Sequence, residues 1–239
     1  MNTVKIDKYF KGMIAHRGLS GIETENTINA FLAAANRSYF GIECDVYASK
    51  DGKIIITHDD TLLRLGMLNL YIPSFRYEEI KKFGLIDRKS GNLSDNICIP
   101  LLSEYLQICK SYKKHGFVEL KDNLSFDNLD DIVAQIGQFG QNDHISLIAF
   151  SEKYLTYVRK NFPDIDLYLL AEKINDKIID YCERHRINLD VRYDVLDETS
   201  IKRLHLSGLK VGVWTVDDKE TAEKLIKLGV DYVTSNILE

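Results

Sequence analysis

From Leu101 onward the sequence keeps one rhythm, and that rhythm restricts the fold more than any other feature. Segments with apolar residues at helical spacing cover 101–113, 127–139, 151–161, 176–185, 197–206 and 218–228. Between them lie short apolar runs at 116–120, 145–149, 166–170, 188–191, 210–215 and 232–234. A strand after every helix implies a parallel sheet with right-handed crossovers. Upstream, Met13-Ile14-Ala15 reads as the first strand and Gly41 to Val46 as the second. The helix between them starts at Ile28, capped by Asn26 or Thr27, and runs to about Ser38. Lys53 to Thr57 reads as a hairpin partner of the second strand across Lys50-Asp51-Gly52-Lys53. Eight core strands with helices between them predict an α/β fold, a closed TIM-type (β/α)8 barrel.

The 239 residues suit one barrel domain spanning 1–239. Residues 61–99 break the rhythm and read as an insertion of loops and short helices. So little sequence follows the last strand that the eighth helix is expected to be truncated, with Val4 to Phe10 covering part of the gap. A net charge of −5 argues against nucleic acid as a partner, since phosphate backbones call for a basic surface. No stretch approaches the roughly 18 apolar residues of a spanning helix, so no stable membrane insertion is expected. The N-terminus lacks the apolar centre of a signal peptide. Cys44, Cys98, Cys109 and Cys182 form no C-x-x-C pair, which argues against a zinc site and for a reducing, cytoplasmic setting. Nothing in the sequence specifies an oligomeric state.

In such barrels the active site lies at the C-terminal ends of the strands. Glu43 and Asp45, at i and i+2, point to one side of their strand, and Ile42, Cys44 and Val46 to the other. Two carboxylates on one half-buried face repel each other unless a cation lies between them. Glu119, at the end of the next core strand, completes an oxygen cage suited to Mg²⁺ or Ca²⁺. Arg17 offers a bidentate fork to a phosphate oxygen, and Lys121 adds positive charge. His16 and His58 suit a general acid and base near neutral pH. Asp59 is expected to orient the neighbouring histidine. Trp214, at the end of the seventh strand, is a candidate pocket wall. Together these parts describe cleavage of a phosphodiester. His115, His144, His185 and His205 are assigned no role, and Asp60 and Asp217 are expected to be solvated.

The order of the motifs adds a resemblance. His16-Arg17-Gly18, Glu25-Asn26-Thr27, Glu43-x-Asp45-Val46, Asp51-Gly52 and His58-Asp59 with Leu62 and Arg64 are similar to the glycerophosphodiester phosphodiesterase family. The likeness continues through Ile99-Pro100-Leu101, Phe117 to Lys121, Val213 to Asp217 and Gly229 to Thr234. It implies a metal-dependent barrel that hydrolyses small glycerophosphodiesters to an alcohol and glycerol 3-phosphate, through a cyclic phosphate formed by the glycerol 2-hydroxyl. By the same resemblance His16 and His58 are the acid–base pair, and Glu43, Asp45 and Glu119 the metal ligands. Arg17 is a phosphate contact, and Lys121 and Trp214 line the substrate pocket.

The sequence departs from the family pattern at Thr24, at Arg64-Leu65-Gly66-Met67, at Asp217 and at Thr234-Ser235-Asn236, without removing an expected ligand or histidine. Two alternatives stay open here. One is a lysophospholipase D-type enzyme, with Tyr71, Phe75 and Tyr77 of the insertion supplying an apolar channel. The other is a barrel kept for binding without turnover.

Overall fold

The computed structural model describes residues 2–140 and 142–239. The chain opens with β1 (Met13–Ala15), α1 (Ile28–Ala35), β2 (Gly41–Ala48) and β3 (Ile54–Ile56). An insertion follows, with α2 (Leu63–Gly66), a 3-10 turn at Ile72–Ser74, α3 (Tyr77–Ile80), β4 (Leu85–Ile86) and β5 (Leu93–Ser94). The regular part is α4 (Leu102–Tyr112), β6 (His115–Leu120), α5 (Phe126–Gln138), β7 (Ile145–Ala149), α6 (Glu152–Asn161) and β8 (Asp166–Ala171). It ends with α7 (Asp176–His185), β9 (Asn188–Arg192), α8 (Glu198–Leu206), β10 (Val211–Trp214), α9 (Lys219–Leu228) and β11 (Tyr232–Ser235).

Eight of these strands are parallel and close on themselves in the order β1, β2, β6, β7, β8, β9, β10, β11. Ile14 is the closing residue, paired with Gly41 on one side and Thr234 on the other. β3 lies antiparallel to β2, outside the ring, as the turn signal predicts. Side chains alternate across each strand. Ile42, Cys44 and Val46 therefore pack outward with Leu102, Tyr105 and Leu106 of α4, all fully or almost fully buried. Inward-facing Ile14, Phe117, Ile148, Tyr168 and Leu170, with Trp214 and Tyr232, fill the barrel axis below the site. Trimming one outward strand residue such as Leu147, with no exposed surface, to alanine is expected to cost about 2–5 kcal/mol.

Local sequence sets the helix ends. Thr27 rather than Asn26 caps α1, its hydroxyl accepting from the Ala30 amide. Ser125, Ser151, Asn175, Asp197 and Asp218 do the same for the five helices from α5 to α9. α1 ends at Ala35, short of Ser38, because Asn36 turns its amide and side chain back onto Leu32. The insertion encloses its own core of Leu62, Ile72, Ile80, Leu85, Ile97 and Ile99, closed by Tyr47 and Ile55 of the β2–β3 hairpin. β11 is followed by no helix among the described residues. Val4 instead bridges to Leu238, the Ile6 amide donates to the Glu239 carbonyl, and Ile6 and Phe10 pack on the core.

Candidate active site

The loop after β1 is bent by two residues in the left-handed region, Arg17 at φ 54° and Gly18 at φ 73°. At Gly18 a Cβ would stand 2.6 Å from the Ala30 carbonyl carbon, so only glycine lets the loop lie on α1. For Arg17 this conformation costs roughly 1–2 kcal/mol. The cost is offset where the turn leads: the Arg17 amide donates to Glu43 Oε2 at 2.7 Å and the Gly18 amide to the Glu43 carbonyl at 3.1 Å. The first motif is thereby stitched to β2.

Glu43 and Asp45 are 3% and 0% exposed, inside the barrel mouth. One carboxylate oxygen from each of Glu43, Asp45 and Glu119 lies within 4.8 Å of the others. Pairing of Asp45 with Glu119 across β2 and β6 sets this spacing. Glu43 Oε1 and Asp45 Oδ1 are buried and accept no hydrogen bond among the described residues. Burial and the charges of Asp45 and Glu119 push Glu43 well above the usual carboxylate range, and Arg17 offsets them only in part. Burial and Asp45 likewise push Glu119 up to about 7, against the pull of Lys121. Burial would raise Asp45 too, but Arg17, Lys121 and His58 hold it low. Three crowded acids, two of them with an oxygen that accepts no hydrogen bond among the described residues, fit a hard divalent cation.

Positive charge rims this trio. Lys121 Nζ donates to Glu119 at 2.7 Å and lies 3.3 Å from Asp45. Arg17 pairs through Nε with Asp45 at 3.3 Å and through its terminal nitrogen with Glu25 at 2.8 Å. No Arg17–Glu43 side-chain pair forms among the described residues; Glu43 takes the Arg17 amide instead. Arg64 of the insertion reaches Glu25 through two nitrogens, at 2.7 and 2.9 Å, and Asp59 through Nε at 2.7 Å. Asp59 then accepts from His58 Nδ1 at 2.7 Å. One chain of charge thus runs from His58 through Asp59, Arg64 and Glu25 to Arg17.

His16 is held from the other side. Its Nδ1 lies 2.8 Å from Asn236 Oδ1, and Asn236 Nδ2 donates to Asp217 at 2.6 Å. Because the Asn236 amide nitrogen faces a carboxylate, its oxygen faces the ring, and Nδ1 carries the proton. Nε2 is left as an acceptor. Burial and the neighbouring Arg17 lower the His16 pKa, the Asn236 contact opposing them. Asp217 is exposed, as the sequence suggests, but its carboxylate is fully engaged. It accepts from the Ser235 hydroxyl and from both the amide and side chain of Asn236.

A cavity of about 220 Å³ joins these groups, lined by His16, Arg17, Glu43, His58, Glu119 and Lys121 on one side. Trp214 forms a wall, edge-on to Phe150 at 5.7 Å and anchored through Nε1 to the Asp190 carbonyl. Every expected site residue thus converges on one mouth, Asp45 beneath it and Asp59 behind His58. Sequence reading missed Phe150, Leu170, Glu172 and Asp190, which also line it. Period-two alternation through β9 was the available signal for Asp190. Two aromatic residues of the insertion fall elsewhere: Phe75 and Tyr77 pack against its own core and line no part of this cavity.

A family model described as the glycerophosphoryl diester phosphodiesterase family matches residues 16–238. The chain belongs to that family. The Bacillus subtilis protein YhdW is 30% identical over 233 residues, covering 94% of this chain and 93% of its own. A glycerophosphodiester phosphodiesterase of Caldanaerobacter subterraneus is 28% identical over 227 residues, with the same coverage of 94% and 93%. Among solved structures, an Oleispira antarctica phosphodiesterase in complex with the product sn-glycerol-3-phosphate superposes with a TM-score of 0.87 at 25% identity, covering 98% of this chain and 96% of that one. The enzyme class read from the strand ends, a phosphoric diester hydrolase, is the one this phosphodiesterase family is named for. Its fold in those structures is the closed barrel described above.

Proposed function

We propose that the protein hydrolyses glycerophosphodiesters to an alcohol and glycerol 3-phosphate, with a divalent cation, Mg²⁺ or Ca²⁺, held by Glu43, Asp45 and Glu119. The observation that carries this reading is the acid trio, with Glu43 and Asp45 buried and each keeping one oxygen without a hydrogen bond among the described residues, facing two histidines and Arg17 across one small cavity. A cation in that cage supplies Lewis acidity at a phosphoryl oxygen. Arg17 and Lys121 would hold the remaining phosphate charge. His16, neutral and with Nε2 free, is the group suited to take the proton of the attacking glycerol 2-hydroxyl. His58, backed by the Asp59 carboxylate, is suited to give a proton to the leaving alkoxide. Attack by the neighbouring hydroxyl closes a cyclic phosphate, which water then opens with the two roles exchanged. Trp214 would wall the substrate.

Placement of Phe75 and Tyr77 in the insertion core removes two of the three residues the lysophospholipid reading asks to line a channel. No helix among the described residues is long and apolar enough to cross a membrane. The cysteines are unpaired, with Cys44, Cys109 and Cys182 buried, in keeping with a proposed cytoplasmic setting.

The test is release of glycerol 3-phosphate from glycerophosphocholine after EDTA treatment, with Mg²⁺ or Ca²⁺ restored. The parent is expected to regain turnover with metal. His16→Ala, His58→Ala and Glu119→Ala are expected to lose about 10²-fold or more. No release under either cation, or full activity in the histidine variants, would overturn the reading.

A further inference from the structure

One acid in the cavity has no part in the chemistry just described. Asp190 lies on β9, on the other side of the lining from the metal cage, beside Leu170, Ile148 and Trp214. It is 6% exposed, and its Oδ1 is buried without a hydrogen-bond partner among the described residues. Among the described residues no arginine or lysine pairs with it. The room it occupies is made by Gly212 on β10, directly opposite in register, where a Cβ would come within 2.7 Å of Asp190 Oδ1. A buried polar group left unsatisfied is costly, so a carboxyl kept in this position calls for a partner that arrives from outside.

Which partner follows from the surroundings. The nearest walls, Ile148, Leu170 and Trp214, are apolar, and the other polar groups lining that part of the cavity are Thr215, Thr234 and the exposed Glu172. Such a surface fits a short carbon chain carrying a hydroxyl. A carboxyl accepts from a hydroxyl when ionised and can also donate to it when protonated. Burial and the charge of Glu119 push Asp190 up to about 8, which favours the neutral acid and so a neutral partner over a cationic one. We propose that Asp190, seated over Gly212, is the specificity-determining residue that binds a free hydroxyl of the substrate's glycerol moiety. This rests on the phosphodiesterase reading and refines it. Where that hydroxyl is esterified to an acyl chain the carboxyl would stay unpaired, and a site built around a hydroxyl rejects ligands that lack it. The site therefore selects deacylated diesters over acylated ones.

The test compares two ligands of equal carbon length, sn-glycerol 3-phosphate and n-propyl phosphate. Calorimetry in one divalent-cation buffer would be run on the parent, Asp190→Asn and Asp190→Leu. The parent is expected to prefer glycerol 3-phosphate. Asp190→Leu should lose about tenfold of that preference while its affinity for propyl phosphate changes far less. Asp190→Asn, which still offers hydrogen bonds, should stay within about threefold of the parent's preference. Melting temperature checks folding, and Asp190→Leu should melt no lower than the parent, because an unpaired buried carboxyl is replaced by an apolar group of similar size. Should the leucine variant fail to fold, Asp190→Ala takes its place in the same comparison. An unchanged ligand preference in the leucine or alanine variant would overturn the proposal, as would an asparagine variant as impaired as the leucine one, since that points to a cationic ligand. A parent that binds neither ligand and turns over no diester would instead sink the phosphodiesterase reading itself.

Discussion

At the scale of single residues, the site holds groups at protonation states they would not have in water. Glu119 and Asp190 bind protons more tightly in the fold than in the unfolded chain, owing mainly to burial. Stability from such groups is fullest below their unfolded pKa and is lost as pH rises through the folded one. Metal-free protein is therefore expected to lose melting temperature from about pH 4.5 to about pH 8, where the folded chain still holds protons on these acids that unfolding releases. Glu119→Gln should flatten the slope, and Mg²⁺ or Ca²⁺ should lift the alkaline end most. Thermal melts across that range check it, and a parent whose melting temperature rises with pH would contradict the assignment. His16 depends on a different detail, the Asp217–Asn236 pair that fixes its tautomer. Asn236→Asp places an acceptor pair against Asp217 and removes the reason for one ring orientation. The expected loss is about tenfold or more in kcat with a shifted acidic limb of the pH profile, and little change in KM.

At the scale of elements, the insertion is tied to catalysis by one residue. Arg64, half exposed on the four-residue α2, binds Glu25 and Asp59 together and so links the positions of Arg17 and His58. Arg64→Ala is expected to lower kcat by roughly 10–100-fold, since small misplacement of reacting groups is costly. Arg64→Lys should restore little, because an ammonium cannot fork between two carboxylates. Steady-state kinetics beside a melting curve separate this from unfolding. The strands and helices around it were legible in sequence because period-two and helical spacings are written by burial on one face, and the caps by Ser, Asn, Asp and Thr. The insertion was not. Its elements are two to four residues long, too short for a period, and its core is completed by Tyr47 and Ile55 from the hairpin that precedes it. The charged half of the site was legible for a related reason: Glu43 and Asp45 interrupt otherwise apolar strands. Asp190 escaped because Asn188-Leu189-Asp190-Val191-Arg192 has the alternation of a strand with one face in water. Only barrel closure turns that face inward. The role of Asp217 escaped because its partners, Ser235 and Asn236, lie at the end of a different strand.

At the scale of the whole molecule, the question is what keeps a ring of eight strands shut where its first and last strands meet. β1 is three residues long and must pair on both sides. That short seam carries His16 at one end, so any slack there reaches the site. Glu239 clamps it from below. Its carboxylate, 6% exposed, accepts from the Ser38 amide and hydroxyl at 2.7 Å, from Thr3 at 2.6 Å and from Lys5 at 2.8 Å. The segment before β1, the loop from α1 into β2 and the residues after β11 thus converge on one side chain. These bonds hold its pKa down to about 2 against the opposing effect of burial, so the clamp is charged at any working pH. Hydrogen bonds to a charged group contribute about 1.5–3 kcal/mol each when a partner is lost, but here they share one carboxylate and do not add in full. Glu239→Ala is therefore expected to destabilise the barrel by about 3 kcal/mol, or roughly 6–12 °C for a domain of this size. None of the clamp's partners lines the cavity, so kcat at 25 °C should stay near the parent's, and inactivation should set in at a lower temperature. If the variant melted with the parent, closure would rest on the β1 pairings and the apolar packing of Ile6 and Phe10 alone.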